Sequence, residues 1–147
     1  MEVIIYIALF SILMTGGIIA TYQLIEGGTH NETAVGIQEE GTFLIRKISW
    51  ALTGVYLPQV INDGQGLLIT KYPGPDFPSS DNPILIQASG GQITMQRGAA
   101  GAVIPLNSAA FPVQVFAAHS EVIGGLTSIS ISFSIQNVPF IYRTYMR

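Results

Sequence analysis

The sequence predicts an α+β chain: a long N-terminal helix of the transmembrane or assembly kind, packed against a C-terminal antiparallel β-sheet head. Three observations predict it. Residues 3–25 form a membrane-length, uncharged and largely apolar run, residues 37–52 place apolar side chains at three- and four-residue spacing, and beyond about residue 55 the period becomes two. The expected organisation is an apolar helix over 1–25, an amphipathic helical continuation over 26–54 and a β-rich head over 55–147.

The first segment carries one charge, Glu2, followed by Val3-Ile4-Ile5-Tyr6-Ile7-Ala8-Leu9-Phe10 and on to Ile25. As helix, residues 3–25 would extend about 35 Å, enough to cross a hydrocarbon core of about 30 Å with some tilt. A signal peptide opens with positive charge and closes at a small-residue cleavage site; here the opening charge is negative and the apolar run is too long. Gly16-Gly17 and Gly27-Gly28 each cost about 1 kcal/mol per glycine relative to alanine in a helix, so each pair is an expected point of bending or local melting. In the next segment Ile37, Gly41, Leu44, Ile48 and Ala51/Leu52 share a stripe, and Glu39, Glu40, Arg46 and Lys47 fall mostly off it. Gly54 offers a C-terminal stop, with Pro58 close behind.

The strand signal is clearest in Leu126–Ile135, where Ile129, Ile131, Phe133 and Ile135 face one way and four serines the other. Ile84–Ser89 and Gln92–Arg97 flank Gly90-Gly91, a pair suited to a two-residue hairpin turn. Leu67–Tyr72, Ala102–Leu106, Val113–Ala118 and Phe140–Met146 are further strand candidates. The proline-rich stretch 73–83 reads as an exposed loop. Ile129, Ile131, Phe133 and Ile135 are expected to face the helical stripe.

Composition narrows the chemistry. The chain has 147 residues, of which 10% are charged and 48% apolar, with a formal charge of −3. It is too apolar for disorder, and it lacks the cationic excess needed to track a phosphate backbone, so nucleic acid is not an expected direct ligand. Without cysteine there is no disulfide, thiolate metal site or Cys nucleophile. His30 and His119 have no second ligand at metal-binding spacing. His119-Ser120-Glu121 contains the residue types of a hydrolase triad, but consecutive residues point in different directions and no nucleophile elbow accompanies them, so a surface turn is the better reading. Gly98-Ala99-Ala100-Gly101 lacks the Lys-Ser/Thr of a P-loop. Asn31-Glu32-Thr33 is an N-glycosylation triplet. Tyr6, Phe10, Phe43, Trp50 and Tyr56, on or beside the helix, are expected to serve core and helix-to-helix packing rather than a cofactor. No catalytic residue, cofactor or metal is expected, and the chain reads as a structural protein, not an enzyme.

Glu2 admits two readings. It sits among lipid headgroups and favours the positive end of the helix dipole, or it enters an apolar assembly and requires a cationic partner there.

The run Met1-Glu2-Val3-Ile4-Ile5-Tyr6-Ile7-Ala8-Leu9-Phe10-Ser11-Ile12-Leu13 resembles the N-terminal helix of bacterial type IV pilins and type II secretion pseudopilins, whose precursors typically read Gly-Phe-Thr-Leu-Ile-Glu before a long apolar run. The stretch from Asn31 to Leu52 is similar to the continuation of that helix in pilin-like proteins. The departures are the absence of the basic leader, the cleavage-site glycine, the usual phenylalanine and the helix-bending proline; Gly16 and Gly17 would supply the flexibility instead. With no cysteine pair there is no C-terminal disulfide loop, so packing and proline-rich loops are expected to hold that end.

The resemblance implies a filament subunit that polymerises through Glu2, Val3, Ile4, Tyr6, Ile7 and Phe10. Its implied partners are further copies in a helical homo-oligomer, related minor pilins, the inner-membrane assembly machinery and a prepilin peptidase, with N-terminal methylation as a family property. The lipid bilayer would hold the subunit before assembly. It implies the bacterial inner membrane first and an extracellular or periplasmic filament afterwards, serving adhesion, motility, DNA uptake or secretion. A minor pseudopilin of a secretion filament, and a membrane-tethered β domain that binds a ligand without polymerising, remain open alternatives.

Overall fold

The computed structural model describes residues 2–75 and 77–146, with the backbone alone at Thr29 and His30. The fold is α+β: one long helix and two antiparallel sheets. Helix α1 covers Glu2–Leu52, and its helical assignment runs without interruption through both glycine pairs, so neither melts it. Eight strands follow: β1 Val55–Ile61, β2 Gly66–Lys71, β3 Ile84–Ser89, β4 Gln92–Arg97, β5 Val103–Pro105, β6 Val113–Ile123, β7 Leu126–Ile135 and β8 Val138–Met146. Strands β1 to β5 form one sheet in chain order, and β6 to β8 form the other. The chain divides into two compact units, Met1–Gly36 and Ile37–Arg147.

Within the second unit, the stripe Ile37, Gly41, Leu44, Ile48, Ala51 and Leu52 is the buried face of α1. It joins the inward residues of both sheets in one hydrophobic cluster, which includes Leu67, Ile69, Ile84, Ile86, Ile93 and Met95 from the larger sheet. Ile129, Ile131, Phe133 and Ile135 contribute from β7. Phe133 and Phe140 are register partners on β7 and β8, and their rings stack at 5.2 Å. The same inner face meets the helix: a Cβ built on Gly41 would lie 2.2 Å from the Phe140 ring, and Tyr142 donates its hydroxyl to Ser49 Oγ at 3.1 Å. Gly41, placed on the stripe by its spacing, is therefore the notch into which an aromatic ring fits.

Turn chemistry sets the hairpins. Gly90 and Gly91 take φ of 59° and 80° between β3 and β4, and Gln136 and Asn137 take 47° and 68° between β7 and β8. Two positive φ values match the right-handed twist of paired strands, a conformation asparagine tolerates better than most residues.

Several expectations change. β1 carries Pro58 opposite Ile69, which an outer strand accommodates because its missing N–H removes no ladder bond on the open side. His119, Ser120 and Glu121 lie in β6, not in a surface turn; the strand continues to Ile123, paired residue by residue with β7. The stretch 73–83 is largely exposed, but Phe77 is buried and the bounding Asn82 is hydrogen-bonded to β2. Asp76 and Arg147 lie outside the described residues. Phe43 and Tyr56 are exposed rather than core. The C-terminal end is held by the β7–β8 ladder, not by proline-rich loops.

Candidate functional site

Two surfaces merit attention, one in each unit. The first is the apolar part of α1. Fifteen large apolar side chains from Val3 to Ile25 are 53–77% exposed, Val3, Ile4, Tyr6, Ile7 and Phe10 among them. By length and composition this helix can span a membrane, with a mean hydropathy of 2.4 over its most apolar window. Its serine and threonine hydroxyls are already satisfied: Ser11 Oγ donates to Ile7 O at 2.8 Å, Thr15 Oγ1 to Ser11 O at 2.7 Å and Thr21 Oγ1 to Gly17 O at 2.9 Å. Back-bonding of this kind removes the demand for water, which suits a nonpolar surround. Gly16 and Gly17 have nothing within 4 Å of the point where a Cβ would stand. Glu2 is exposed in the first helical turn, and among the described residues no cation lies within ion-pair distance of it. Met1 lies outside the described residues.

The second surface surrounds Trp50, near the C-terminal end of α1. The last turn of α1 contains no basic residue, so its negative dipole end must be met from elsewhere. Lys71 of β2 meets it, donating from Nζ to Trp50 O at 2.8 Å, a carbonyl that also accepts Thr53 N–H at 3.2 Å. The Lys71 ammonium stands 4.2 Å from the Trp50 ring and 5.3 Å from the Phe77 ring, and the Arg97 guanidinium 4.5 Å from Trp50. Burial first, and repulsion from Arg97 second, hold the Lys71 amine below its ordinary value of 10.5. Asn82 fixes the lysine's backbone, accepting Lys71 N–H at 3.0 Å and donating to Lys71 O at 2.9 Å. Among the described residues Arg97 makes one ion pair, with Asp81 at 3.8 Å. Gly54 ends the helix with φ of 69°, the left-handed cap that the sequence suggests.

Comparison with protein-family models, with curated proteins and with solved structures returns no match.

The remaining candidates fall apart chemically. His119 and Glu121 are exposed on β6 with Ser120 between them on the opposite face, so no triad forms. The His30 side chain lies outside the described residues. Among the described residues no three potential ligands gather as a metal site. In the 98–101 loop the carbonyls of Ala99 and Gly101 accept from Gln96 Nε2 at 3.2 and 3.0 Å; a phosphate cradle needs amide N–H groups turned inward instead. Asn31 is exposed on α1. Two asparagines, one half-buried and one buried, were invisible as structural contacts in the sequence. Asn82 is one, and Asn107 is the other: it accepts Ile93 N–H at 2.7 Å and donates to Gly91 O at 3.0 Å and Phe111 O at 3.1 Å. Nothing local marks either residue, since Lys71 lies 11 residues from Asn82, and Ile93 and Gly91 lie 14 and 16 residues from Asn107.

Proposed function

We propose that the chain is a structural subunit of a type IV pilus-like filament, not an enzyme, polymerising through its N-terminal helix. The observation that carries this reading is an apolar helix that its own chain leaves uncovered, headed by a carboxylate and joined to a β head with a core of its own. Burying a large apolar side chain is worth about 1.5–3 kcal/mol, so fifteen half-exposed ones represent on the order of 20 kcal/mol that water cannot accommodate. Lipid relieves that cost before assembly, and a bundle of neighbouring helices relieves it afterwards. Because both surrounds are apolar, transfer between them is close to neutral, and packing and polar contacts decide association. Gly16 and Gly17 leave room for a neighbour's backbone. Glu2 would then meet the N-terminal amine of an adjacent subunit and set axial register.

The test pairs two variants. Deleting residues 1–24 should release a soluble monomeric head, measured by light scattering after size exclusion. Glu2→Gln, which keeps size and hydrogen-bonding capacity but deletes the charge, should leave the membrane-fraction yield intact while sheared-fibre yield falls. Filaments from the truncated chain would refute the helix-bundle reading. Normal fibres from Glu2→Gln would refute the register role, and a full-length chain that inserts but never forms fibres would favour the tethered head.

A further inference from the structure

Four of the chain's six Lys and Arg residues gather about Trp50. Lys71 and Arg97 stand over its ring, while Arg46, Lys47 and Arg97 rim an open groove of about 460 Å³ that Met95, Ile104 and Leu106 line with apolar surface. Among the described residues, Asp81 is the one carboxylate in ion-pair reach of this group. Arg46 and Lys47 are exposed and, among the described residues, without an ion pair; the Lys47 ammonium stands 5.4 Å from the Phe43 ring. A chain of net charge −3 has thus concentrated positive charge at one apolar groove, and the mutual repulsion is left largely uncompensated.

The complementary surface is in the same sequence. Residues 26–40 hold four glutamates and no Lys or Arg. Glu26, Glu32 and Glu39 are exposed without an ion pair among the described residues, and Val35 is exposed between them in sequence; Glu40 is engaged, accepting Ser108 N–H. Among the described residues no ion pair joins Glu39 to Arg46, Lys47 or Arg97 of the same chain.

We propose that the Arg46–Lys47–Arg97 groove receives the acidic stretch 26–40 of a second copy of the chain. The inference rests on the filament reading and specifies its contact. Carboxylates of the incoming helix meet the cationic rim, and its exposed Val35 packs on the apolar lining of the groove. The two halves of the contact are different surfaces, so each copy offers a free groove and a free acidic stretch after joining its neighbour. Such a heterologous interface propagates rather than closing into a dimer. Holding the subunits side by side through their apolar helices raises the effective concentration of one surface for the other, so a screened surface contact suffices.

The experiment uses the full chain in bacterial membranes. Because the chain has no cysteine, any disulfide joins introduced positions. Chains carrying Lys47→Cys and chains carrying Glu32→Cys, produced together and mildly oxidised, should give the mixed dimer. Replacing the Lys47→Cys partner by Glu121→Cys, on exposed β6, should not. Phe10→Cys alone should cross-link through the helix bundle. In parallel, the double reversal Arg46→Glu/Lys47→Glu should cut sheared-fibre yield about tenfold, and adding Glu32→Lys/Glu39→Lys to that chain should restore it. Cross-linking at Phe10 without the Lys47–Glu32 product overturns the groove contact and leaves the filament reading standing. Absence of both overturns the two together. Retention of a polygalacturonate probe that is lost in the double reversal, with fibre yield unchanged, assigns the groove to an acidic polymer and also overturns the proposal.

Discussion

Replacing Gly41 by alanine should destabilise the head, although alanine is the better helix former. On propensity alone the substitution gains about 1 kcal/mol. Against that stands geometry: the added methyl would lie 2.2 Å from Cε1 and Cζ of Phe140 and 2.7 Å from its Cδ1. That ring cannot simply swing aside, because it is buried and stacked on Phe133, itself 2% exposed. Overpacking of a filled core costs about 1–3 kcal/mol, so the net expectation is a loss of about 1 kcal/mol, or roughly 4 °C in Tm for a head of this size. The measurement is chemical and thermal denaturation of the 25–147 chain, followed by circular dichroism, as a double-mutant cycle with Phe140→Leu. With Phe140 present Gly41→Ala should lower stability; in the Phe140→Leu background the clash is gone and the same change should be neutral or favourable. A stability gain from Gly41→Ala in the otherwise unchanged chain would refute the argument, since it would show that no ring occupies the glycine notch.

Two further expectations concern the same head. Phe133→Ala removes a fully enclosed ring from the face that meets α1 and should cost about 3–5 kcal/mol in the same assay; unchanged stability would place that face outside the core. Lys71→Met removes the Nζ–H donor to Trp50 O together with a cation that burial and Arg97 disfavour, so near neutral pH the two effects oppose each other and stability should change by no more than about 1 kcal/mol. The pH dependence has a definite sign. The Lys71 amine titrates below 10.5 when folded, so between its folded value and 10.5 the unfolded chain binds more protons, and this group's contribution to stability rises with pH. The difference in unfolding free energy between wild type and Lys71→Met should therefore move in favour of wild type as pH climbs toward 10.5. A flat or opposite trend would mean that burial and Arg97 do not act on this amine.

Local periodicity determined much of this protein without any structure. The apolar run headed by Glu2, the stripe from Ile37 to Leu52, the Gly54 stop, the Gly90-Gly91 turn and the alternation in β7 are all patterns within a few residues, where backbone geometry maps sequence spacing directly onto a face. The β3–β4 hairpin was legible for the same reason, whereas the turns at Gly124-Gly125 and Gln136-Asn137 were not read from the sequence. What depended on contacts between distant residues was not. β1 was hidden because Pro58 argues against a strand until it is known to lie at a sheet edge, and β6 was cut short because His119-Ser120-Glu121 looks like a turn until β7 is seen beside it. Gly41 gave no sign of receiving Phe140, nor Lys71 of capping a helix that ends about twenty residues earlier. Asn82 and Asn107 likewise became meaningful only when β2, and the loops around β4, came within hydrogen-bonding reach. The groove about Trp50 is the sharpest case. Its cations come from α1, β2 and β4 and carry no shared spacing, so only tertiary folding, driven by burial of the apolar stripe, could bring them to one place.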